Sequence, residues 1–78
     1  MIRRKDSVVI TFYTTTDAMA MEHHCKAEGA PGRMIPVPGT ISADCGLAWC
    51  APPESEDALR QLMECHAIPN QGIYRCLI

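Results

Sequence analysis

Basic charge is scarce in this sequence. Seven Lys and Arg stand against nine Asp and Glu, a net charge of -2 with histidine neutral. That balance gives no electrostatic footprint for a phosphate backbone, so nucleic acid is not an expected partner. The single basic cluster, Arg3, Arg4 and Lys5, could open a secretory signal, but the apolar stretch behind it (residues 8–13) is too short, is interrupted by Thr11 and has no cleavage-site pattern after it. No apolar run approaches the ~20 residues that span a bilayer. The expectation is a cytoplasmic protein without a membrane segment. A dinucleotide-binding G-x-G-x-x-G, a phosphate loop, a paired-carboxylate constellation and a Ser-His-Asp set are missing as well. Their absence points away from a stand-alone enzyme.

An even cysteine count is also lacking. Five cysteines in 78 residues could suggest a disulfide scaffold of the kind that supports small secreted domains. The odd number and the missing signal argue against it. Each reduced thiol is then a small buried hydrophobe, a metal ligand or a reactive group.

What is present is enough apolar material for one core. Hydrophobic residues make up 47% and charged residues 21%, which is the range of folded domains and not of disordered chains. The reading is one domain over residues 1–78, with 1–6 as a flexible arm. A core of this size rarely supplies more than roughly 3 to 5 kcal/mol of net stability, so a homodimer would be no surprise.

Residues 7–13 alternate, with Val8, Ile10 and Phe12 on one side and Val9, Thr11 and Tyr13 on the other, and predict a strand. Residues 17–28, rich in Ala, Met and Glu, predict a helix with a Thr or Asp cap, a stop at Gly29 and an inward stripe of Ala18, Met21 and Cys25. A short segment at 33–37 contains Pro36, which cannot donate to a ladder and belongs on an edge strand. Residues 47–51 read as a third strand, 55–66 as a second helix and 73–78 as a last strand. The order β-α-β-β-α-β is the ferredoxin-like α+β plan, a four-stranded antiparallel sheet with two helices on one face. Right-handed crossovers place strands one and three in the centre, strand two at the edge beside three and strand four beside one.

This topology puts the start of strand three at the sheet end where helix one begins. Cys45, in the loop SADCG before Gly46, is then expected near Thr14, Thr15, Thr16 and Asp17. A helix N-terminus favours a thiolate over a thiol, although Asp17 would oppose this if aimed at the sulfur. The candidate site is therefore Cys45 as the thiol, Gly46 for loop geometry and Thr16 at the helix N-terminus. Cys25 and Cys65 fall on helix stripes and are expected in the core. Cys50 and Ala48 are expected on the open sheet face, which could serve as a dimer surface. Cys76 lies in a pattern that does not settle its face.

A metal-binding module is a weaker alternative. It would use Cys45 and Cys50 with His23, His24 or His66. Two residues five apart on an extended strand are about 16 Å apart, and the spacings match no common zinc pattern. A solvated surface histidine pair is the preferred reading, with no metal ligand assigned.

Three stretches resemble the family of selenium/sulfur carrier-like proteins: ITFYTTTDAMAME (residues 10–22), PGRMIPVPGTISADCGLAWCAP (31–52) and GIY (72–74). The middle stretch is the specific one. In that family the cysteine before Gly-Leu is the candidate carrier, which maps onto Cys45; Cys50 is not carried over. The resemblance implies a persulfide or selenopersulfide held transiently on Cys45, with no resident cofactor. It would come from a cysteine desulfurase-type donor and pass to an acceptor protein. The competing expectation is a non-catalytic interaction or small-molecule-sensing domain of the same fold.

Overall fold

The computed structural model describes residues 6–39, 41 and 46–77. Within them the chain forms β1 (Asp6–Thr11), α1 (Thr15–Glu28), β2 (Arg33–Pro36), β3 (Leu47–Ala51), a 3-10 turn (Pro53–Ser55), α2 (Glu56–Cys65) and β4 (Gly72–Leu77). The sheet order is β2-β3-β1-β4 and every pairing is antiparallel. This is the α+β, ferredoxin-like architecture expected from the sequence, with Pro36 on the edge strand. No helix among the described residues is long and apolar enough to cross a membrane.

Most boundaries shift by one or two residues, and α1, expected over 17–28, starts at Thr15. Asp6, assigned to the arm by the sequence, opens β1 opposite Leu77. β1 stops at Thr11 rather than Tyr13 because the chain must turn into a helix that starts at Thr15. Thr14 caps that helix: its backbone is extended (φ -137, ψ 158) and its Oγ1 accepts from the Asp17 amide at 3.1 Å. At the other end Gly29 adopts φ 71. Its amide donates to Lys26 O (3.4 Å), while the Ala30 amide donates to Cys25 O (2.8 Å). These two bonds are a Schellman stop, which favours glycine because a side chain at positive φ is strained.

The core lies between the helices and one sheet face. Val8, Ile10 and Phe12 from β1 and its exit meet Trp49 and Ala51 from β3, Ala18, Met21 and Cys25 from α1, and Leu59, Leu62 and Met63 from α2. Trp49 is closed in by the loop before β2, where its indole N–H donates to Pro31 O at 3.3 Å. Gly32 sits at φ 127, and a Cβ there would collide with the Trp49 ring nitrogen and approach Cys50 O to 2.7 Å. Only glycine lets this loop close over the tryptophan.

The opposite sheet face carries Ser7, Val9 and Thr11 from β1 and Ala48 and Cys50 from β3. It was expected to be open. Instead Val9, Thr11 and Ala48 are fully buried and Cys50 is nearly so. The register explains part of this: Val9 is opposite Tyr74 and Ala48 opposite Ile35, so larger side chains on the outer strands flank smaller ones on the central pair. Tyr13, which had been grouped with them, is half exposed.

Cys65 is a second correction. It is exposed, whereas the buried residues of α2 are Leu59, Leu62 and Met63. At 3.6 residues per turn it lies roughly 60° beyond Leu62, on the side away from Met63, and so past the edge of the apolar stripe.

Candidate functional site

The register fixes one end of the sheet as the place where the sequence-predicted residues gather. Thr11, the last residue of β1, is opposite Ala48, so Gly46 and Leu47 flank the turn that leads into α1. Gly46 O accepts from the Val37 amide at 3.1 Å, and the Gln71 amide donates to Thr11 O at 2.7 Å. The approaches to β3 and β4 are thereby tied to the same end as the start of α1.

Gly46 is exposed and has open space where a side chain would be. Thr16 is exposed in the first turn of α1, where amides have no intrahelical acceptor. The structure thus places Gly46 and Thr16 at one end of the molecule. Cys45 itself lies outside the described residues.

The other four cysteines are distinguishable. Cys25 is fully buried in α1; burial first, and the charge of Glu28 second, push its thiol up to about 11. Such a thiol is neutral and inert near pH 7. Cys50 is buried on the sheet face opposite the helices, and Cys76 is half-buried on that same face, opposite Ser7. Cys65 is exposed at the end of α2.

These positions also bear on the metal set considered from sequence. Cys50 faces away from the helices, whereas His23 and His24 lie on α1 and His66 caps α2. The sheet separates Cys50 from all three histidines.

The histidines are not a simple solvated pair. His24 and His66 stack with ring centroids 3.8 Å apart at 12°, and His23 meets His24 edge-on at 5.2 Å. His66 Nε2 also contacts Glu28 Oε2. Sequence reasoning missed this group because it weighed the adjacent His23 and His24. The usable signal was Glu28, four residues after His24 and therefore on the same helix face.

A separate ionic group ties β4 to α2. Glu56 accepts from Arg60 Nε at 3.0 Å and from Arg75 Nε at 3.4 Å. The bond from Arg60, with Arg75 assisting, holds its carboxyl below the usual range.

A family model described as "Putative Se/S carrier protein-like" matches residues 7–75. The matched span runs from β1 into β4 and includes Cys45 and Gly46. No curated protein and no solved structure matches the chain.

Proposed function

The chain belongs to this Se/S carrier protein-like family, and on that premise we propose that Cys45 holds a persulfide or selenopersulfide and passes it between partner proteins. The match across residues 7–75 carries the reading. Two structural features support it. Gly46 lies at the sheet end from which α1 starts, where unpaired amides and the helix dipole favour an anionic sulfur. Of the other thiols, Cys25 and Cys50 are buried and have no access to a partner protein.

The transfer conserves electrons. The Cys45 thiolate attacks the outer sulfur of a donor persulfide, R–S–SH. The donor S–S bond breaks, the donor cysteine leaves as a thiolate, and Cys45–S–SH forms. A nucleophile on the acceptor then attacks the same outer sulfur, and Cys45 departs as a thiolate. A selenium atom in the outer position follows the same course. Asp17, within the first turn of α1, would work against the thiolate if its carboxylate faced the sulfur, while the amides of that turn would work for it.

On this reading the partners are a cysteine desulfurase-type donor and an acceptor protein in the cytoplasm. A homodimer across the sheet face that carries Tyr74 belongs to the same proposal. The test is peptide mapping by mass spectrometry after incubation with a cysteine desulfurase and cysteine. The expected result is a gain of one sulfur atom on Cys45, lost in Cys45→Ser and kept in Cys50→Ser. Modification of Cys65 in place of Cys45 would overturn the assignment. No adduct, with partner binding intact in Cys45→Ser, would replace the carrier by an interaction or sensing domain.

A further inference from the structure

We propose that His24, Glu28 and His66 form a binding site for a divalent transition-metal ion, with Zn2+ as the type occupant. One ligand atom from each of the three lies within 4.8 Å of the others. Two imidazole nitrogens and one carboxylate oxygen are a donor set that suits zinc and its borderline neighbours. Mg2+ and Ca2+ prefer all-oxygen sites.

The scaffold presents these groups from two rigid elements. His24 and Glu28 stand at i and i+4 on α1, so their side chains rise from one face, one turn apart. His66 is held by the end of α2, where its amide donates to Leu62 O at 3.0 Å. The chain just beyond is fixed by Ala67 N to Glu64 O (3.3 Å) and Ile68 N to Met63 O (2.8 Å), and Ile68 is buried. His66 therefore cannot drift from α1 without unpacking Ile68.

The side chains are placed for the purpose without being locked. His66 is 29% exposed and Glu28 50%, which leaves room for the ion and for water as a further ligand. Zinc ligands at 2.0 to 2.2 Å sit about 3.4 Å from one another around a tetrahedral ion. The group is looser than that at its widest, and rotation of the exposed Glu28 carboxylate with a small splaying of the two rings closes it. The contact of His66 with Glu28 shows that these side chains already reach one another.

This site is distinct from the Cys45 end. His24 and Glu28 lie roughly 12 and 18 Å of helix rise beyond Thr16. Occupancy would clamp α1 to α2 and add metal-binding free energy to folding. The proposal does not depend on sulfur transfer.

Zn2+ alone, titrated into the full chain under reducing conditions, tests it by calorimetry and by thermal melts. Binding with a rise in Tm is expected for the wild type, and no rise with Mg2+. His24→Ala and His66→Ala should each weaken binding at least about tenfold, the scale on which even supporting groups of metal sites act. Glu28→Gln should weaken it less. Metal-free melts of these variants check that each still folds, and Cys45→Ser and Cys65→Ser should bind as the wild type does. The proposal is overturned if millimolar Zn2+ leaves the Tm unchanged. It is equally overturned if the double variant His24→Ala/His66→Ala binds normally, or if a cysteine variant alone abolishes binding.

Discussion

The two helices end in the same backbone motif built from different residues. α1 closes with Gly29 at φ 71, and α2 closes with Ala67 at φ 53. Each has an amide bonded back to the carbonyl three residues before it, and each has the next amide bonded back five residues. At α1 the local sequence suffices, because glycine enters the left-handed region without strain. At α2 an alanine is held there at a cost of the order of 1 kcal/mol. The holding force is tertiary: Ile68, the residue after Ala67, is buried in the core, whereas its counterpart Ala30 is only partly covered. One helix stop is written locally and the other is imposed by packing.

Breaking the packing at α2 should have the largest effect. Ile68→Ala is expected to cost about 2 to 4 kcal/mol, because it empties a core position and frees the end of α2. Ala30→Gly should cost far less. Urea midpoints compare them, and equal values would mean that Ile68 does not hold that end.

The thiols near the two stops separate next. Cys25 has a folded-state value of about 11, above an unfolded thiol. The folded chain binds that proton more tightly, so the contribution is complete below the unfolded value near 9 and is lost as pH rises through about 11. A two-unit shift corresponds to roughly 2 to 3 kcal/mol. Melts between pH 8 and 11 should show the decline in the wild type and less of it in Cys25→Ala, whatever the change in overall stability. Exposed Cys65 should be alkylated by iodoacetamide in the native state while Cys25 is protected; similar labelling rates would contradict the buried placement.

Smaller effects sharpen the contrast by sign. Gly29→Ala should destabilise by about 1 kcal/mol, and Ala67→Gly should stabilise by about 0.5 to 1 kcal/mol. Chemical denaturation reads both, and shifts of the same sign would show that the stops are not related as described. Smallest is Lys26→Ala, which removes an exposed pair with Glu22 (3.8 Å) and a charge in the last turn of α1. A loss within about 0.5 kcal/mol is expected.

Much of the fold was legible in the chain. Val8, Ile10 and Phe12 alternate to one face. Ala18, Met21 and Cys25 recur at helical spacing, the Thr-Asp run before the helix and Gly29 after it mark the ends of α1, and Pro36 marks the edge of the sheet. These are periodic or local signals, and they survive folding because nothing distant contradicts them. The placement of Gly46 and Thr16 at one end followed from the antiparallel pairing of β1 and β3, itself implied by the element order. Cys65 misled because it is near the apolar stripe in number but beyond it in angle.

What the sequence by itself determined is therefore the order of the elements, the caps of α1 and most of the helix-facing half of the core, all set by contacts within a turn or a strand. Only the tertiary structure decided that Val9, Thr11 and Ala48 are buried on the face away from the helices, that Ala67 takes a left-handed turn, and that His66 arrives against His24 and Glu28. Those outcomes join residues up to 65 positions apart, as Val9 and Tyr74 are joined across β1 and β4. No periodicity encodes such a meeting; the packing of the two helices and the pairing of the outer strands bring it about.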